Sequence, residues 1–188
     1  MTENKQLSVI YRFLAQAMRY PEAEWLNEIF KEQLLELLNS LQWQDEAAAL
    51  SFDPASPHDL EIIQVEHTRL FISAAGGVYA SPYGSVYLSE SGTLLNESTD
   101  EVRNFYRRNG FDLADDYEVA DHIVNELEFL SLLTANNMTA EEQEFLKVYF
   151  RPWFTTFAKQ VKEAAEIPFY RIIIKLIDFF TREEVSAP

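Results

Sequence analysis

One constellation of residues in this chain could do chemistry, in the stretch EVADHIVNELEFL. Glu118, His122 and Glu126 recur every fourth residue, so on a helix they share a face. That face lies one step round from an apolar stripe of Val119, Ile123 and Leu127, with Asp121 and Asn125 beside it. A histidine flanked by carboxylates has its cationic form favoured, so such a face could hold positive charge or bind it. The same spacing equally describes a solvated helix surface with i,i+4 pairs. Asp121 close to a helix start would then only complement the helix dipole. Neither reading calls for an enzyme.

Other catalytic arrangements find less support. The three histidines are His58, His67 and His122. Helical di-metal sites use Glu-x-x-His units, whereas here Glu66 and His67 are adjacent and Glu118 and His122 are four apart. A metal-dependent hydrolase or oxygenase built on Glu66, His67, Glu118 and His122 is therefore the minor alternative. Cysteine is absent, which removes thiol nucleophiles, disulfides and thiolate metal sites, and no G-x-S-x-G elbow occurs. The glycines of AAGGVYASPYGS lack the lysine and the strand–turn–helix setting of a phosphate cradle.

The second feature is SPYGSVYL, residues 81–88, a proline–aromatic–glycine–serine run with no helical period in an otherwise helix-patterned chain. It lies within the longest irregular stretch, from about 74 to 97. Loops of this length in compact domains are usually functional or disordered, and the aromatic and β-branched residues argue for an ordered one. Tyr83 and Tyr87 on such a loop bury little core surface, which suggests that another chain covers them.

The positioning elements follow from periodicity. Leu7, Ile10, Tyr11, Leu14, Ala17 and Met18 mark an amphipathic first helix that stops at Tyr20-Pro21. EAEWLNEIFKEQLLELLNSL reads as a second helix, QDEAAAL as a short third, and LEIIQVEHTRLFI as a fourth after the two prolines of SFDPASPHD. STDEVRNFYRRNG has Ser98 and Glu101 in capping-box spacing and Gly110 as a stop. DDYEVADHIVNELEFLSLLTANN reads as one long helix ended by Asn136-Asn137, and Thr139 with Glu142 as a further capping box. Pro152 breaks or kinks the chain at Arg151, and an apolar helix runs from about 168 to 181. The expectation is an all-α, single-domain, multi-helix bundle over 1–188 with one long structured loop.

Composition narrows the partners. With 31 acidic and 15 basic residues, the net charge of −16 opposes phosphate backbones, so nucleic acid is a poor partner and a basic peptide a suitable one. The same charge also serves plain solubility. The N-terminus is an amphipathic helix rather than a signal peptide, and no run reaches the roughly 20 apolar residues of a membrane span. The expected protein is soluble and cytoplasmic, without stable membrane insertion.

In order along the chain, SPYGSVYL, EVADHIVNEL, YFRPWFTTF and IPFYRIIIKL resemble the TorD/DmsD/NarJ family of molybdoenzyme-specific chaperones, nearest the DmsD and TorD branches. The similarity spans roughly Glu66 to Leu176. It implies a cytoplasmic, all-helical protein without catalysis or cofactor. Such a protein binds the twin-arginine signal peptide and the body of a molybdopterin-containing oxidoreductase, and holds it for cofactor insertion before export. The family's leader-binding surface carries over onto Phe71 (beside Leu70), Pro82, Tyr83, Gly84, Ser85 and Tyr87, and onto Asp121 and His122. Asp121 and Glu126 are expected to supply the counter-charge for arginines. Two departures stand out: Val119-Ala120 occupy a place where many relatives have a proline, and Tyr83 and Tyr87 replace tryptophans common in DmsD-type members. Within the family, a NarJ-like assembly factor for a cytoplasm-facing nitrate reductase is the alternative. Relatives are monomers or domain-swapped dimers, and the 74–97 loop is a plausible hinge for exchange.

Overall fold

A computed structural model describes residues 3–73, 77–89, 92–114 and 119–182. The described residues are helical throughout, with no strand beyond a single isolated β-bridge. In chain order the helices are α1 (Glu3–Ala17), α2 (Glu28–Ser40), α3 (Gln44–Ala49), α4 (Pro57–His67), α5 (Ser85–Leu88), α6 (Glu97–Arg108), α7 (Ile123–Ala135), α8 (Thr139–Phe145), α9 (Arg151–Ala164) and α10 (Pro168–Phe180). No helix among the described residues is long and apolar enough to cross a membrane.

The core forms around α7. Its apolar positions run nearly all the way round, so Ile123, Val124, Leu127, Leu130 and Leu133 are all buried. α1 lies along α7, with Tyr11, Leu14 and Ala15 inward and Ser8 and Ser131 exchanging hydroxyl hydrogen bonds to each other's carbonyls at 2.9 Å. α10 packs on α9 and α1, burying Tyr170, Ile173, Leu176 and Ile177. Much of the high aromatic content is spent here: Phe105, Tyr106, Phe129 and Phe145 form one cluster of rings 4.2–5.9 Å apart.

Three helices end in the same way. After α6, Gly110 at φ +83° donates its N–H to Arg107 O while Phe111 N–H reaches Tyr106 O, a Schellman closure. Asn137 (φ 57°) after α7 and Gln42 (φ 59°) after α2 repeat the pattern. The stops expected at Gly110 and Asn136-Asn137 therefore hold.

Several helix starts differ from expectation. α2 begins at Glu28, capped by the Asn27 side chain on Phe30 N–H, so Trp25 precedes it in a turn. α6 is capped by Asn96 on Ser98 N–H, and α8 begins after Met138 with no side-chain cap, so neither expected capping box is the cap used. Asn96 wins because an Asx side chain two residues ahead of Ser98 reaches the first free N–H. Pro152 does not end a helix. α8 passes through a π-helical turn, Leu146–Phe150, directly into α9, and Arg151 N–H bonds Leu146 O five residues back. The wider turn absorbs the missing proline donor without interrupting the rod.

Gln42 pays for a left-handed backbone that glycine adopts freely. Gln42→Gly should raise unfolding stability by about 0.5–1 kcal/mol, read from urea melts. Gly110→Ala should lower it by a similar amount.

Candidate functional site

Two segments distant in sequence are zipped together by main chain. Ile123 N–H donates to Pro82 O and Gly84 N–H to Asp121 O, both at 2.9 Å, forming an antiparallel bridge between Tyr83 and His122. Their rings meet edge to face, with centroids 4.8 Å apart. α7 therefore starts at Ile123, with His122 as its N-cap: His122 Nδ1 accepts from Val124 N–H at 3.3 Å. Because Nδ1 accepts, Nε2 carries the ring hydrogen. The long helix expected from residue 115 is thus shorter. A helix face shared by Glu118, His122 and Glu126 does not form, since His122 is extended, and Glu118 lies outside the described residues.

Behind the bridge the structure is dry. The Asp121 carboxylate is 1% exposed and takes the Ser85 N–H at 2.6 Å. Ser85–Leu88 is a one-turn helix inside the expected loop. Gly84 has right-handed helical angles that any residue adopts; what it needs is space, because a Cβ there would stand 3.0 Å from the Trp153 indole. Trp153 Nε1–H donates to Glu126 Oε2 at 3.0 Å. Glu126 is fully buried, and burial, then the charge of Asp121, pushes its pKa well above the ordinary carboxylate range.

In front of the bridge lies a groove of about 1170 Å³ between the end of α1, the 18–25 turn, the end of α4 and the start of α7. Tyr83, Pro82 and His122 form its floor with His67, Phe71 and Trp25. Burial lowers both imidazoles: His122 falls to about 4 despite the neighbouring Asp121, and His67 falls below its usual value. His67 Nε2 sits 3.4 Å from Met18 O, and its buried Nδ1 has no partner among the described residues. At neutral pH the groove floor is therefore aromatic and uncharged. Its carboxylates are Glu22, Glu24 and Glu128.

The expected site residues consequently divide. Phe71, Pro82, Tyr83 and His122 line the groove. Gly84 and Ser85 are buried behind it. Tyr87 turns the other way, stacking on Trp153 at 5.8 Å and donating its hydroxyl to Gln160 Oε1 at 2.9 Å. Asp121 and Glu126 are internal, so they cannot meet an arginine as exposed counter-charge; burial assigns them to structure. The residues that sequence reasoning passed over are Glu22, Glu24, Trp25, Arg19 and Glu128. Their signal was the Tyr20-Pro21 break, which marks where the chain leaves α1 to wall the groove.

The metal alternative also loses its ligands. Glu66 is occupied, with Oε2 bound by Arg69 Nε at 2.8 Å and Oε1 by the Glu166 and Ile167 amides. Among the described residues no three His, Asp or Glu side chains converge as a metal set.

Two tests follow from this geometry. Gly84→Ala should cost about 1–3 kcal/mol in chemical unfolding by crowding the buried indole, and a shift in Trp153 fluorescence should accompany it. As pH falls from 6.5 to about 4, the unfolded chain protonates His122 before the folded one does, so the contribution of His122 to stability should drop by roughly 3 kcal/mol. His122→Asn, which keeps a cap acceptor, should flatten that acid limb. Glu126 works in the opposite sense: its stabilising contribution is present below its unfolded pKa and is lost as pH rises through the raised folded value. Glu126→Gln keeps the Trp153 acceptor and should raise Tm progressively more as pH increases.

The chain also has identifiable kin. The model of the family described as Nitrate reductase delta subunit matches residues 24–159. The chaperone protein TorD of Actinobacillus succinogenes is 26% identical over 181 residues, covering 91% of this chain and 90% of its own length. The Tat proofreading chaperone DmsD of Salmonella typhimurium is 31% identical over 142 residues, covering 72% of this chain and 67% of its own. A crystal structure from Archaeoglobus fulgidus, titled as a redox enzyme maturation protein, superposes with a TM-score of 0.64 at 26% identity over 97% of this chain and 96% of its own. On these matches and its all-helical fold, this chain belongs to the TorD/DmsD/NarJ family of molybdoenzyme chaperones.

Proposed function

We propose that this chaperone acts in the cytoplasm on the precursor of an exported molybdopterin-containing oxidoreductase, holding the precursor's twin-arginine leader in the groove and contacting its body elsewhere until cofactor insertion is complete. The observation that carries the reading is the groove itself. A twin-arginine leader joins a cationic head to an apolar run. The groove joins an uncharged aromatic floor of Tyr83, Phe71, Trp25 and His122 to the carboxylates Glu22, Glu24 and Glu128. Rigid rings supply contact area at low entropic cost and accept a guanidinium on their faces. The protein's net charge of −16 draws such a leader in.

The roles divide accordingly. Tyr83 and His122 touch the ligand, and its arginines pair with Glu128 and with the exposed Glu22 and Glu24. Asp121, Ser85, Gly84 and Glu126 hold Tyr83 in place from behind. Tyr87 contributes indirectly, through Trp153. The chain needs no cofactor or catalytic group for this task. It works as one unit over 1–188, monomeric or exchanged between two copies through the 74–97 segment.

Isothermal titration with a synthetic twin-arginine leader should show saturable binding that weakens as salt is raised. Replacing both arginines by lysine should weaken it by about tenfold or more, because an ammonium cannot reproduce the two-pronged guanidinium contact. Tyr83→Ala should cost a similar factor. Equal, near-millimolar binding of the native and lysine leaders would dismiss leader recognition. The family model's description favours one second reading, an assembly factor for a nitrate reductase that stays facing the cytoplasm. Affinity purification of the tagged chain from cells grown on nitrate would then recover that reductase, and the leader would bind no better than a scrambled peptide.

A further inference from the structure

Resting on the groove as the leader site, we propose that Arg19 is a built-in competitor for the leader: its guanidinium occupies the Glu128 carboxylate that a leader arginine takes over in the loaded state.

The groove is lined by three carboxylates, Glu22, Glu24 and Glu128, and by two cations, Arg12 and Arg19. A site for a doubly cationic peptide has no obvious use for arginines of its own. Arg19, however, is already engaged. It leaves the turn after α1 and places its terminal nitrogen 2.5 Å from Glu128 Oε1 on α7. The pair therefore ties together two walls of the groove. Arg19 also stands within electrostatic reach of the groove floor, since its charge is one of those that lower His122. A guanidinium on a groove carboxylate, close to the Tyr83–His122 floor, is the contact that the ligand's own arginine would make.

The pair is suited to exchange. Both side chains are close to half exposed, at 49% and 43%, so the bridge is worth little against solvation and opens readily. A leader arginine arriving with its apolar run seated on the rings is less hydrated than Arg19, and its contact to Glu128 is correspondingly stronger. The swap is of one guanidinium for another, so Glu128 is never left without a cation and Arg19 swings into water. Empty, the groove keeps Glu128 paired, so that carboxylate does not attract stray cations strongly. Loaded, it requires a ligand that brings more than charge. The penalty falls equally on every ligand that needs Glu128, so Arg19 raises the threshold for binding without altering the ratio of arginine to lysine peptides.

The test is a calorimetric cycle with the synthetic twin-arginine leader on the wild type, Arg19→Gln, Glu128→Gln and the double variant, each confirmed folded by its melt. Arg19→Gln should tighten binding by roughly twofold to fivefold, and its Lys-Lys leader affinity by a similar factor. Glu128→Gln should weaken binding by about tenfold, and in that background the gain from Arg19→Gln should vanish. Arg12→Gln serves as the control for plain charge: any gain it gives should be smaller and should survive Glu128→Gln. An unchanged or weaker leader in Arg19→Gln, or a gain that persists without the Glu128 charge, would overturn the competitor while leaving the groove assignment intact. Failure of the leader to bind any of the four proteins would overturn both.

Discussion

Everything around the groove depends on the hydrogen bond from the Ser85 amide to the buried carboxylate of Asp121. Burying a carboxylate is costly unless donors meet it, and here a main-chain N–H at 2.6 Å meets Oδ2, while Oδ1 has no partner among the described residues. With the two flanking main-chain bonds, it fastens residues 82–85 to the chain just ahead of α7. Tyr83 is thereby fixed against His122, Gly84 against Trp153, and the first turn of α7 receives its cap. Glu126, buried in the same space under the Trp153 indole, has its pKa pushed well above the ordinary carboxylate range, chiefly by burial and then by the neighbouring Asp121.

The molecule thus separates two uses of acidic side chains. Asp121 and Glu126 build the scaffold from inside. Glu22, Glu24 and Glu128 present charge at the groove, on segments that arrive from α1 and α7. Between the two sets lies a layer of rings and neutral imidazoles, which keeps the groove floor apolar at neutral pH while the surrounding field stays strongly negative.

Much of the fold could be read from the chain, because its signals were local. Apolar periodicity located α1 and the bodies of α2 and α7, α10 stood out as an apolar run, and the left-handed stops at Gly110 and Asn137 were visible as residue types. The meeting of the SPYGSVYL and Asp-His segments was also anticipated, through family resemblance rather than spacing. The failures share a cause. Four-residue spacing around His122 assumed a helix that starts only one residue later, and a strong periodic pattern says little about where the first turn begins. Asp121 and Glu126 were given exposed roles because residue type does not report burial. Tyr87 was paired with Tyr83 because both sit on one short loop, but Ser85–Leu88 is a helical turn, and a four-residue offset there carries Tyr87 over Trp153 instead of the groove.

The wide turn at Leu146–Phe150 has a reach beyond its own five residues. A π turn holds one residue more than the α-helical turn it replaces, so everything downstream is rotated by about 100° relative to an uninterrupted helix. Trp153 lies three residues past it, and that quarter-turn aims its indole at Gly84 and Glu126 rather than along the bundle. The orientation of the 82–85 loop is thus set partly by residue count on a helix that does not line the groove. A one-residue deletion there would leave every side chain in the loop unaltered and still swing away the surface it rests on.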